Sequence, residues 1–136
     1  IAAVDPFLEK LYQKNEQPIL IHGDLHFWNV HIYRGQLWVI DFEDVQLGFP
    51  AQDISICLYY LRNYENYVEL GEAFQSGYAT EREWPSFSQS DLHTLWLGRM
   101  ANFANYAAQI IDSEESAKEF ISARCGEMEK LLDGRA

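Results

Sequence analysis

The chain has 136 residues, of which 48% are hydrophobic and 15% aromatic, and this apolar content is sufficient for one buried core. We therefore expect a single domain spanning residues 1–136, not a disordered chain. The formal net charge of −11, with ten basic residues scattered along the sequence, argues against a nucleic-acid partner. A metal cation or a cationic small molecule is the better match to this charge.

Cysteine spacing and hydropathy bear on location. Cys57 and Cys125 are far apart and match neither a metal-binding CxxC pair nor a disulfide-rich secreted scaffold. No apolar run approaches the roughly 18–20 residues that cross a bilayer, and no signal-like stretch follows Ile1. We therefore expect no membrane partner and a cytoplasmic location with reduced thiols. Because the chain begins with Ile1 instead of Met, we also expect it to be a fragment.

The first predicted elements are a helix and a short strand. Asp5-Pro6 is a typical helix start, and apolar residues at helical spacing extend the helix to about Lys14. Residues 19–21 form an apolar, β-favouring run. That run stops at His22-Gly23-Asp24, where a polar segment begins.

A β-hairpin is predicted next. The two-residue turn Arg34-Gly35 joins two β-favouring runs, 30–33 and 36–40. Counting back along both strands from this turn places Asn29 at the open end of the hairpin, beside Asp41. An amide and a carboxylate are thus expected to meet there.

The second half of the chain has helical periodicity. Capping-box patterns begin at Ser88 and at Asp112. The fold class is therefore α+β, mostly helical, with one small β-hairpin. The helices are expected at about 51–64, 66–79, 88–110 and 113–132.

Three polar side chains could support phosphoryl transfer. This reaction requires Mg²⁺ held against the phosphates and a carboxylate near the acceptor hydroxyl. Mg²⁺ prefers oxygen ligands, so Asn29 and Asp41 suit it, and one carboxylate leaves the ion enough positive charge to attract a triphosphate. Asp24, five residues before Asn29 on an irregular loop, is then placed to act as the general base.

The segments HGDLHFWN (22–29) and VIDFED (39–44) carry a family resemblance. They resemble the catalytic loop and the metal motif of protein-kinase-like enzymes, and their wording is similar to the aminoglycoside phosphotransferase family. The resemblance implies the C-terminal catalytic lobe of a protein-kinase-like fold, with the hairpin carrying the metal motif. It also implies ATP-dependent transfer of the γ-phosphoryl group to a hydroxyl of a small molecule, such as an aminoglycoside, homoserine or choline-like acceptor.

Carried over residue by residue, the resemblance makes Asp24 the catalytic aspartate and makes Asn29 and Asp41 the ligands that hold Mg²⁺ and, through it, ATP. His26 stands where protein kinases have a lysine close to the phosphates. Asp53 matches a buried aspartate at a helix start that bonds backbone amides of the catalytic loop and supports it.

The family's nucleotide-covering lobe has no counterpart in the sequence. No Gly-x-Gly pair for a phosphate-covering loop occurs, and no lysine lies in a strand pattern. We therefore expect the N-terminal lobe to belong to a longer parent chain and this fragment alone to be inactive.

Other interpretations remain open. His22, Asp24 and His26 could form the metal site of a hydrolase, because alternate residues of a strand point to one side. A catalytically silent kinase-like binding module is a further alternative. Within the kinase interpretation, His22 is expected to be structural support, hydrogen-bonded within the loop, and Glu43 is a possible additional ligand. Phe42 is expected to pack inward.

Overall fold

The computed structural model describes residues 5–13 and 17–133. The chain separates into two compact units. One unit contains the helices that begin at Asp5, Gln89 and Glu114, and the other contains the elements between residues 15 and 88. The predicted end of the first helix at Lys14 lies outside the described residues. The single-domain organisation stays a prediction.

The unit between residues 15 and 88 carries the strands and two of the helices. Its elements occur in the order that the hydrophobic pattern predicts, with one additional strand. Helix α1 (Asp5–Gln13) precedes this unit in the chain. The elements of the unit are β1 (Ile19–Ile21), a 3-10 turn (Phe27–Asn29), β2 (Val30–Tyr33), β3 (Gln36–Val39), β4 (Gln46–Gly48), α2 (Pro50–Leu61) and α3 (Tyr67–Glu81).

The hairpin of β2 and β3 has the predicted register. Tyr33 lies opposite Gln36, so the strands pair back toward their open end. Arg34 and Gly35 have φ values of 50° and 74°, and positive φ at both central residues is what a type I′ turn requires. The Ile40 amide donates to the Asn29 carbonyl at 3.0 Å, which continues the pairing beyond β3.

A second antiparallel pair, β1 with β4, was not predicted. Ile21 lies opposite Gln46, so the residues after β1 are next to those before β4. The strands approach closely at Gly48, where an added Cβ would come within 2.4 Å of the Ile21 Cδ1 atom. This pairing is what brings the polar loop that begins at His22 to the segment that begins at Asp41.

The start of α2 is fixed by local hydrogen bonds. Pro50 takes the first helical position, where its missing amide hydrogen costs nothing. The Gln52 Oε1 atom accepts the Phe49 amide at 2.7 Å and so satisfies one of the donors at the helix start. Asp53 lies in the same first turn. Apolar side chains of α2, including Ile54 and Leu58, are buried.

The other unit is helical. It contains α1, α4 (Gln89–Ile110) and α5 (Glu114–Leu132), and the buried face of α4 includes Trp96 and Met100. The cap of α5 is Ser113, whose Oγ accepts the Ser116 amide at 3.3 Å. The predicted capping box at Asp112 is therefore wrong by one residue, because the serine hydroxyl already occupies the capping position.

The α+β class, mostly helical with a small β-hairpin, is confirmed. Among the described helices, none has both the length and the hydropathy that crossing a bilayer requires.

Candidate active site

The loop between β1 and the hairpin is held by α2. The Asp53 carboxylate accepts the His22 amide at 2.8 Å through Oδ2 and the Gly23 amide at 2.9 Å through Oδ1. Both carboxylate oxygens are thus bonded to the loop backbone. Charge-assisted bonds of this kind are stronger than neutral ones, so they fix the course of the chain just before Asp24.

Gly23 is the point of closest approach between the two polar segments. Its φ is +82°, and a Cβ atom there would lie 2.2 Å from the Asp44 carbonyl oxygen. Neither the conformation nor the space admits another residue without a shift of the backbone. The sequence alone does not predict this contact, because the two residues are 21 positions apart.

His22 is buried and bonded at both ring nitrogens. Its Nδ1 accepts the Asp24 amide at 3.3 Å, so the ring proton is on Nε2, which donates to the Ile40 carbonyl at 2.9 Å. The ring therefore links the loop to the end of the hairpin. The Phe42 ring lies 4.9 Å away, centroid to centroid, but 59% of the Phe42 side chain is exposed. The expectation that Phe42 packs inward is wrong, because among the described aromatic rings only that of His22 lies against it.

Asn29 joins the polar loop to the end of the hairpin and is only 6% exposed. Its Nδ2 donates to the Asp24 carbonyl at 3.0 Å and is 3.5 Å from Asp24 Oδ2. Its own carbonyl accepts the Ile40 amide, and Asp41 follows directly. Asp41 is exposed and has a φ of 63°, a left-handed conformation that aspartate tolerates better than most residues. The structure thus brings Asp24, Asn29 and the backbone beside Asp41 together.

His26 contacts the same carboxylate. Its Nε2 is 3.3 Å from Asp24 Oδ2. Its Nδ1 is buried and has no hydrogen-bond partner in the described part of the chain. The ring packs edge to face against Tyr60, at 4.7 Å between centroids, and against Trp28, at 5.5 Å.

Cys57 is a contributor that sequence reasoning missed. Its Sγ donates to the Leu25 carbonyl at 3.0 Å, one residue after Asp24. Burial, together with the negative charge of Asp53, raises the pKa of the Cys57 thiol to about 12, so it remains a protonated donor. The spacing was the available signal, because residues 53 and 57 share one helical face.

Glu43, the possible additional ligand, is exposed, and so is its neighbour Asp44. Within residues 5–13 and 17–133, no three His, Cys, Asp or Glu side chains are arranged to hold a metal. For the hydrolase alternative, His22 would have to give up a backbone hydrogen bond to become a ligand, since both of its ring nitrogens are bonded.

Comparison with known proteins identifies the family. The profile of the phosphotransferase enzyme family matches residues 1–89, and no curated protein matches the sequence. Two similar solved structures are amicoumacin kinase hAmiN in complex with AMP-PNP, Ca²⁺ and Ami (23% identity, TM-score 0.77) and a microcompartment-associated aminopropanol kinase (24%, 0.70). This chain is covered over 96% and 98% of its length, but spans only 42% and 46% of theirs. The fold is thus that of these kinases, and the chain belongs to the phosphotransferase enzyme family.

Proposed function

We propose that this chain is the catalytic, metal-binding part of an ATP-dependent kinase that phosphorylates a hydroxyl group of a small molecule. The observation that carries the proposal is the position of Asn29, which bonds Asp24 on one side and the backbone next to Asp41 on the other. The family match and the kinase-like fold support the same reaction class.

Asn29 and Asp41 are the proposed Mg²⁺ ligands. Because the Nδ2 group of Asn29 is directed at Asp24, its Oδ1 faces away from Asp24, and it accepts no hydrogen bond from any described residue. Asp41 directly follows Ile40, whose amide bonds the Asn29 carbonyl, and it is exposed. An amide oxygen and a carboxylate suit Mg²⁺, which takes its other ligands from phosphates and water. When bound, Mg²⁺ would supply positive charge against the phosphate oxygens. Glu43, exposed in the same segment, is a possible outer contact.

Asp24 is the proposed general base. In the transfer, the acceptor oxygen forms a bond to the γ-phosphorus of ATP, the bond from that phosphorus to the ADP oxygen breaks, and the hydroxyl proton passes to the Asp24 carboxylate. The Asn29 side chain bonds the backbone carbonyl of Asp24, while Asp53 and Cys57 bond the backbone on either side of it. His22 joins the loop to the metal segment as structural support.

The charge of the surrounding unit favours a cationic acceptor. Residues 15–88 contain eleven acidic side chains and only three basic ones, all arginines. Arg34 lies at the hairpin turn, Arg62 stacks on the Tyr59 ring, and Arg82 ends α3. An amine-bearing alcohol of the aminoglycoside, homoserine or choline type is consistent with this field.

A nucleotide-covering N-terminal lobe in a longer parent chain completes the proposal. The chain spans under half of the two kinases, and residues 15–117 contain no lysine to orient phosphates. Paired apolar residues of both strand pairs are also largely exposed: Leu20 with Leu47, and Ile32 with Leu37. A covering lobe would bury such a surface. The fragment alone should then transfer little phosphate, and use of ATP implies a cytoplasmic enzyme.

The test is a transfer assay with the full-length protein, Mg-ATP and a panel of hydroxyl compounds, first amino alcohols. Asp24→Asn should reduce kcat by at least about a thousandfold, because the amide cannot take the proton. Asp112→Asn, an exposed substitution in the other unit, should leave the rate unchanged. Undiminished transfer by Asp24→Asn would reject the base assignment, and tight stoichiometric Zn²⁺ bound without nucleotide would favour a hydrolase.

A further inference from the structure

The environment of His26 suggests how it acts. The side chain is 11% exposed, and the rings of Trp28 and Tyr60 pack against it. One ring nitrogen, Nε2, faces the Asp24 carboxylate, and the other, Nδ1, is buried without a partner among the described residues. Among the described residues, the polar contact of the ring is therefore with Asp24.

The proton on the ring can be assigned from these contacts. A carboxylate only accepts hydrogen bonds, so the nitrogen that faces Asp24 must carry the hydrogen. A second hydrogen on Nδ1 would be a buried donor without an acceptor, which costs about 1–3 kcal/mol or more. Of the two neutral tautomers, the one with its hydrogen on Nε2 therefore fits these contacts.

We infer that His26 is a positioning residue, which donates from Nε2 to Asp24 Oδ2 and holds that carboxylate in one rotamer. The catalytic role of this contact rests on the proposed function, but the contact itself does not. Tyr60 belongs to α2 and Trp28 to the 3-10 turn, so two elements pack against the His26 ring. A ring fixed in this way presents its Nε2 to Asp24 in one orientation. Asn29 Nδ2 lies 3.5 Å from the same oxygen, at the limit of hydrogen-bond distance, so its contact with this oxygen is weak.

The first test needs no variant and no activity. Long-range ¹⁵N NMR of the 136-residue chain at about pH 8, above the ordinary histidine titration range, reports which ring nitrogen is protonated. We expect a single tautomer for His26, with hydrogen on Nε2. His22 provides an internal reference, since its two backbone bonds impose the same tautomer. A proton on Nδ1 of His26, or averaging between both tautomers, would overturn the inference.

The second test measures the Asp24 rotamer directly. With ¹³C-labelled aspartate, the three-bond couplings from the backbone nitrogen and carbonyl to Cγ give the population of each χ1 state. We expect one dominant rotamer in the unmodified chain and in His26→Gln, because the Gln amide can donate from nearly the same position as Nε2. His26→Leu keeps apolar bulk between the two rings but removes the donor, so the Asp24 couplings should move toward rotamer averaging.

Controls separate positioning from general destabilisation. His31→Leu, at an exposed position on β2, should leave the Asp24 couplings unchanged. If His26→Leu retains a single Asp24 rotamer while remaining folded, another group holds the carboxylate and the inference fails. If His26→Leu does not fold, the His26→Gln couplings and the tautomer measurement still decide, and a loss of the rotamer in His26→Gln counts against the inference.

Kinetics of the full-length enzyme then connect the geometry to the reaction. His26→Leu should reduce kcat about tenfold or more with KM changed less than about twofold, and His26→Gln should restore most of kcat. An unchanged kcat in His26→Leu would contradict a positioning role. Because the NMR tests use no ATP, failure of the proposed kinase activity leaves their outcome separate.

Discussion

The two hydrogen bonds from Asp53 to the loop backbone give the account a quantitative test. In Asp53→Ala, the His22 and Gly23 amides lose acceptors at 2.8 and 2.9 Å. Hydrogen bonds to a charged group contribute about 1.5–3 kcal/mol each, and the carboxylate also lies in the favourable first turn of α2, worth about 0.3–1 kcal/mol. Because Asp53 is only partly buried, water offsets some of this, and we expect a loss of about 3 kcal/mol.

Asp53→Asn should cost less, about 2 kcal/mol, because the amide oxygen retains one acceptor while the NH₂ group faces a backbone donor. Glu69→Ala is the matched control: this acid also lies in the first turn of a helix, α3, but is exposed. It should lose only the helix-dipole contribution, under about 1 kcal/mol.

Urea unfolding followed by tryptophan fluorescence and circular dichroism measures these differences, with equal m-values required for a valid comparison. Amide hydrogen exchange locates the effect, which should be greatest at His22 and Gly23. If Asp53→Ala costs no more than Glu69→Ala, or if exchange at the two amides is unchanged, the loop is not held by this carboxylate.

Two further predictions concern Gly23 and Cys57. Gly23→Ala should lower the free energy of unfolding in urea by about 2–4 kcal/mol, because the left-handed φ is strained and the added Cβ clashes with the Asp44 carbonyl. Gly35→Ala has a similar φ but open space, so it should cost only about 1 kcal/mol. Equal costs in the two variants would refute the close approach at Gly23. The pKa of the Cys57 thiol is raised from about 9 to about 12, so the folded state favours the neutral thiol. This stabilising effect is lost as the pH rises from about 9 toward 12. Over this pH range the free energy of unfolding should fall by at most about 1.4 kcal/mol per pH unit, and it should fall more steeply than in Cys57→Ser. Parallel curves of unfolding free energy against pH for the two proteins would contradict this. At neutral pH a thiol reagent should modify the exposed Cys125 quickly and Cys57 only on unfolding.

The hairpin was predictable because its determinants are local. A two-residue turn sets the register, and the register sets which residues meet at the open end, so Asn29 could be placed beside Asp41 by counting. The helices were predictable from periodicity for the same reason, and their observed bounds differ from the expected ones by a few residues.

The missed features depend on contacts between distant residues. β4 has three residues and no alternating pattern, and it becomes a strand only because β1 pairs with it. Gly23 is required by a carbonyl 21 positions along the chain. The exposure of Phe42 depends on what packs around it, which its own hydrophobicity does not reveal. The hydrogen bond from Cys57 to Leu25 likewise joins elements that only the fold brings together.

The central claim is that Asn29 and Asp41 share one divalent metal ion, and a paramagnetic substitute for Mg²⁺ tests it most directly. In an NMR titration of the ¹⁵N-labelled chain with Mn²⁺ and AMP-PNP, we expect line broadening centred on the amides of Asn29, Ile40 and Asp41, and strongly reduced in Asp41→Asn. Broadening centred instead on the acidic start of α5, at Glu114 and Glu115, with Asn29 and Asp41 unaffected, would contradict the claim.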